Sequence, residues 1–280
     1  MRAMSVIDPH ASRAALKSLL AWWETAGVDV AASPPAPRSA PPRSAPTRGR
    51  ADPGSAPRAP SRPPAGARAR NAEGNAEADA RALAARCDTL EALKAAIEGF
   101  EHPLRAAARN TVFARGCADA PVMVVGEAPG RDEDRAGLPF VGRSGQLLDR
   151  MFAAIGLDDT AGLYITNVIN WRPPQNRSPS EAEIALTRAF IERHVALKAP
   201  KVVVFAGAIA AQTLLGATQG ITRIRGRWFD YAVKAPDGSP TGVTVPAMPI
   251  YHPAYVLRRP ISKREVWRDL LAIEAKLAEP

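Results

Sequence analysis

One stretch constrains this chain more than any other: Val122 to Leu148, VMVVGEAPGRDEDRAGLPFVGRSGQLL. The unbroken apolar run Val122-Met123-Val124-Val125 has the pattern of a buried strand. It stops at Gly126-Glu127-Ala128-Pro129-Gly130, residues suited to a sharp turn. An acidic trio follows, Asp132, Glu133 and Asp134, placed in a loop with Asp132 and Asp134 as solvated charges. After Leu138-Pro139-Phe140-Val141-Gly142, a helix is expected from Ser144 to Ile155, with Leu147, Leu148, Met151, Phe152 and Ile155 inward. A strand ending in a Gly-rich turn puts free backbone N–H groups and a carboxylate at the carboxyl edge of a sheet. In open α/β sheets that edge is where ligands bind. The glycines alone also suit an ordinary βα loop.

Further elements alternate in the same sense. Strands are predicted at Leu163–Ile169 and at Lys201–Phe205, the latter buried on both faces. Helices are predicted at 80–98, Ser180–Leu197, Gly207–Leu215 and Ser262–Ala278. Ser180 and Glu183 have capping-box spacing. Arg227–Val233 and Gly242–Ile250 can pair around the Pro236–Pro240 turn. Alternating strands and helices argue for a parallel sheet in a three-layer α/β/α domain.

The N-terminal third is different. Leu16, Leu19, Leu20 and Trp23 share one helical face within 10–27, which gives an arm over residues 1–32 that can dock on the main domain or bind a partner. Residues 33–79 are Pro, Ala, Arg and Ser with almost no large apolar side chain, and read as a disordered linker. Within 33–72, eight arginines stand against one aspartate, a net +7 beside +9 for the whole chain. Much of the basicity therefore belongs to the linker, where it can add salt-sensitive contacts to DNA phosphates or act as a solubilising spacer. Residues 80–280 remain for the main domain. Cys87 and Cys117 supply neither a disulfide framework nor a zinc pattern. Neither a signal peptide nor an apolar span is evident, so a cytoplasmic protein with no membrane association is expected.

Three segments in order, GEAPG…ED…GLPFVGRSGQLL, TNVINWRPPQNR (Thr166–Arg177) and HPAYVLR (His252–Arg258), resemble the family 4 uracil-DNA glycosylases over about residues 113–277. The resemblance implies a sandwich around a mostly parallel four-stranded sheet and excision of uracil from DNA in base excision repair. It also implies a bacterial, monomeric enzyme acting on the nucleoid, with uracil-containing DNA as partner and the base flipped out. Under it His252 donates to uracil O2 as negative charge builds, and Glu127 holds the attacking water or stabilises the sugar cation. Asn167 pairs with N3–H and O4, which cytosine, with the reverse pattern, cannot satisfy. Phe140 stacks on the base, the Gly126 and Ala128 backbone contacts it, and Glu133 crowds its C5 edge. Arg172, Asn176, Arg177 and Arg258 meet phosphates, and Leu257, in a loop entering the minor groove, fills the vacated stack.

The resembled family also holds a [4Fe–4S] cluster on four cysteines. Its ligand positions fall here on Gly99, His102, Trp171 and Thr187, so no cofactor is expected. Apolar packing around Trp171, with Leu104 and Phe190, is expected to tie the same segments together. Two other readings stay open: a noncatalytic nucleic-acid-binding relative with this fold, and a nucleotide-binding domain that cradles phosphate on the Gly turn, though without the Gly-Lys-Ser/Thr of a P-loop.

Overall fold

The computed structural model describes residues 65–279, with side chains from Asn75 onward. The expected N-terminal arm and most of the linker lie outside the described residues. Helix α1 (Ala65–Ala85) is followed by α2 (Leu90–Gly99), with Thr89 accepting from Ala92 N as N-cap. The predicted helix over 80–98 is thus two helices, broken at 86–89. Residues 65–79 are helical where a linker was expected. Alanine-rich sequence lacks large apolar groups but is the best helix former, and Ala80 and Ala84 are buried in the core.

The sheet then builds from β1 (Ala114–Gly116), β2 (Val122–Gly126), β3 (Leu163–Asn167), β4 (Val202–Ala206), β5 (Phe229–Lys234) and β6 (Pro240–Ile250). Its order is β1-β3-β2-β4-β6-β5. The four central strands are parallel, as expected, and β1 and β5 add antiparallel edges, making six strands. Between strands lie α3 (Arg131–Ala136), α4 (Arg143–Ala153), α5 (Glu181–Lys198), α6 (Ala208–Leu215) and α7 (Ile221–Ile224). After β6 come α8 (Pro253–Arg258) and α9 (Lys263–Leu277).

Strand alternation splits the core into two layers. Met123, Val125, Tyr164, Val203 and Phe205 face α1, α2, α5 and α6. Val122, Val124, Leu163, Ile165, Val202 and Val204 face α4, α8 and α9. Each such side chain, fully buried, contributes roughly 1.5–3 kcal/mol, which makes the sheet a rigid base for the loops at its ends. The capping box predicted at α5 is formed: Glu183 N donates to Ser180 Oγ at 3.3 Å and Ser180 N to a Glu183 carboxylate oxygen at 2.8 Å. Among the described residues no helix is long and apolar enough to cross a membrane.

Candidate active site

Chain order reverses at β2. Strand β3 lies on one side of it and β4 on the other, so the carboxyl ends of these strands flank a topological switch point. A cavity of about 370 Å³ opens there, lined by Glu127, Ala128, Phe140, Asn167, His252 and Arg258 among others. A larger groove, about 1000 Å³, lies away from the strand ends between α1, α5 and α6; the smaller one gathers a carboxylate, a carboxamide and an imidazole.

Gly126 ends β2 directly opposite Asn167 at the end of β3. A Cβ at Gly126 would lie 2.5 Å from the Phe140 ring and would also overlap the Asn167 amide oxygen. The missing side chain is what lets ring and carboxamide close on the strand end. Asn167 is 3% exposed, lines the cavity, and its carboxamide has no hydrogen-bond partner among the described residues. Among the described residues Tyr231 Oη is the one fully buried side-chain polar atom without a partner, so the Asn167 amide keeps contact with the cavity, where a ligand can reach it. Glu127 is half-buried in the same cavity, and its carboxylate makes no ion pair among the described residues.

His252 is the N-cap of α8. Its Nδ1 accepts from Ala254 N at 3.1 Å, which leaves the proton on Nε2. Burial, with the Arg258 charge as a smaller cause, lowers its pKa to about 4. At neutral pH the cavity therefore holds a neutral imidazole with one N–H to give. The ring sits 5.7 Å from that of Phe140. HPAYVLR is mostly helix rather than the expected loop, because Pro253 takes the first helical position, where its missing N–H costs nothing. Leu257 stands in its last turn, 39% exposed, with Arg258 exposed beside it.

Several side chains have occupations the sequence did not reveal. Glu133 accepts from Gly130 N at 3.1 Å and from Gly142 N at 2.8 Å, so its carboxylate clamps the two ends of the loop that carries Phe140. Asp134, expected in solvent, is buried and accepts from Arg109 N and Asn110 N; the acidic trio is helical, in α3. Arg177 makes a bidentate pair with Glu183 at 2.6 and 2.8 Å, and this partner holds the Glu183 carboxyl at a pKa of about 2. Its fork is thus engaged before any phosphate arrives. Arg172 donates to Asn176 Oδ1 at 2.6 Å. Sequence reasoning missed Ser144 in the cavity wall and Arg115, which donates to the carbonyls of Pro139 and Phe140. No local pattern signals either contact.

The positions where the resembled family carries cluster cysteines do not fit a thiolate-bound cluster. Trp171, 1% exposed, stacks on His102 at 4.8 Å and 14°. Its indole N–H donates to Thr111 Oγ1 at 3.0 Å. His102 Nε2 bonds to Glu183 O and its Nδ1 accepts from Leu104 N. Thr187, also buried, donates to Ile184 O. Gly99 offers no side chain. Among the described residues no group of three or more His, Cys, Asp or Glu can hold a metal ion.

The switch-point cavity of this α/β/α domain combines an aromatic wall, a carboxamide, a neutral imidazole and a carboxylate outside any ion pair among the described residues, a set of groups that suits an enzyme reading a flat, polar-edged ring. Residues 113–271 match the model of the uracil DNA glycosylase superfamily, and the chain belongs to that superfamily. It is similar to the type-4 uracil-DNA glycosylase of Pyrobaculum aerophilum, at 36% identity over 60% of this chain and 84% of that protein. It is also similar to those of Archaeoglobus fulgidus, at 38% over 59% and 80%, and Thermotoga maritima, at 36% over 56% and 76%.

Proposed function

We propose that this protein is a uracil-DNA glycosylase: it hydrolyses the bond between uracil and deoxyribose in DNA, leaving an abasic site and free uracil to begin base excision repair. The observation that carries the reading is the Asn167 carboxamide, which faces, without a protein hydrogen-bond partner among the described residues, into a cavity it shares with a neutral histidine. The target nucleotide leaves the stack, and its base enters the cavity against Phe140. Asn167 accepts from N3–H and donates to O4. Cytosine offers the opposite pattern and would leave both groups unpaired.

As the C1′–N1 bond breaks, its electron pair passes to uracil and spreads towards O2, where His252 Nε2–H donates. A neutral donor gains most as the charge develops, which lowers the barrier rather than only binding the substrate. Glu127 holds the water whose oxygen bonds to C1′, and its negative charge steadies the sugar cation. The water's proton passes to Glu127 or to solvent. Ala128 and Gly126 meet the base through their backbone. Glu133 acts first by fixing the loop, and its place in the cavity wall agrees with crowding at the C5 edge.

Arg172 and Arg258 meet backbone phosphates, with Arg177 joining by releasing Glu183, and Leu257 fills the gap left by the flipped nucleotide. The protein works as a monomer without a bound cluster, the His102–Trp171 stack replacing the cross-link that a cluster would supply. The test is a labelled oligonucleotide carrying one U, incubated with the protein and cleaved at abasic sites with alkali, beside T and C controls. Cleavage at U alone supports the reading; DNA binding without cleavage would make the protein a noncatalytic relative.

A further inference from the structure

We propose that Arg115 is a positioning residue for base recognition: it holds the turn that aims Phe140 into the uracil cavity. The inference rests on the proposed stacking role of Phe140.

Phe140 has φ +54°, the left-handed region that a bulky side chain rarely adopts. The residue is 5% exposed, and its ring packs over Gly126 and towards His252. A ring can point there only while the backbone keeps that conformation, and an unsupported turn would relax to negative φ and swing the ring out of the cavity. Support comes from a distant strand. Arg115, on the edge strand β1, donates through Nε to Pro139 O at 2.8 Å and through Nη2 to Phe140 O at 3.2 Å.

The guanidinium is itself fixed. Nη1 pairs with Asp159 at 2.7 Å and Nη2 with Asp149 on α4. Four donor contacts from one planar group leave it a single orientation. The other side of the turn is closed by α4, whose Gly145 sits so near the Phe140 carbonyl that any Cβ would overlap it. The carbonyl is thus held between the first turn of α4 and the Arg115 fork. Lysine carries its donors on one atom and cannot reach both carbonyls and both carboxylates.

A double-mutant cycle tests this, with single-turnover uracil excision and inhibition by free uracil as readouts. Phe140→Ala and Arg115→Met should each slow excision by roughly 5- to 150-fold, the worth of one base–aromatic stack. Both should weaken inhibition by uracil in parallel. The decisive arm is the double variant, which should be no slower than Phe140→Ala alone, since a guide has nothing left to guide. Arg115→Lys should behave as Arg115→Met, and it carries the same cycle if the methionine variant does not fold. Additive losses in the double variant, or a wild-type rate in Arg115→Met, would overturn the assignment. A wild-type rate in Phe140→Ala would instead remove the stacking role, and the assignment with it, while leaving uracil excision itself intact.

Discussion

Replacing Trp171 by alanine puts the filled cluster position to a quantitative test. The side chain is 1% exposed and lies in the layer that joins α2, α5 and the loop after β3. Removing a fully buried tryptophan costs about 3–5 kcal/mol when the surroundings relax only in part. Relaxation is limited here. One face of the indole is covered by His102, which is itself tied to Glu183 O and Leu104 N, and Phe100 and Phe190 are already packed edge to face at 5.0 Å. The change also strips Thr111 Oγ1 of its indole donor. In a domain of this size each kcal/mol lowers Tm by about 2–4 °C, so Trp171→Ala should melt roughly 6–20 °C below the parent. Urea unfolding should show a lower midpoint at an unchanged slope. A loss under about 1 kcal/mol would refute the argument that this stack replaces a cross-link. Trp171→Cys should bind no iron, and a brown parent protein with stoichiometric iron would refute the cluster-free reading directly.

His252→Ala should keep uracil-DNA binding and lose roughly 2.7–4 kcal/mol of transition-state stabilisation; single-turnover kinetics beside a binding isotherm decide this. Asn167→Asp should admit cytosine, because a protonated carboxyl donates where the amide accepted, and an unchanged ratio of U to C excision would make Asn167 structural. The folded protein keeps His194 and His252 neutral, chiefly by burial, with pKa values of about 3 and 4. Free histidine titrates near 6.5, so the unfolded chain binds more protons between those values. Stability present above pH ~6.5 should fall steadily as pH drops towards 4, and His194→Gln should flatten the slope of Tm against pH. Deleting residues 1–64, which carry six of the linker arginines, should preserve base choice and reduce the salt dependence of DNA affinity; an unchanged slope of log K against log salt would contradict this.

Strands β2 and β4 were legible because parallel strands covered on both faces read as unbroken apolar runs, and Ser180 with Glu183 announced the start of α5 by spacing alone. Strand β1 was not, since Ala-Arg-Gly has no periodicity and pairs only because Thr166 and its neighbours await it. The early start of α1 was hidden for another reason. Small side chains look like linker composition, yet alanine favours the helix, and further along it Ala80 and Ala84 are buried in the core. Motif residues such as Asn167 and His252 did converge on one cavity. What their sequence could not carry was partnership across distance: Asp134 with Arg109 and Asn110, Arg177 with Glu183, Arg115 with the Phe140 turn. Each depends on where a second segment arrives, and a linear pattern does not encode that.

The tautomer of His252 has a bearing on turnover under cellular conditions. With Nδ1 occupied by Ala254 N–H and burial opposing a second proton, the ring offers a directed N–H without a positive charge of its own. An imidazolium there would attract chloride and inorganic phosphate from solution and would grip the departing uracil anion. A neutral donor competes for neither. In the proposed reaction, once the base takes up a proton, the attraction that peaks during bond cleavage fades, and the imidazole adds no ionic hold on the free base.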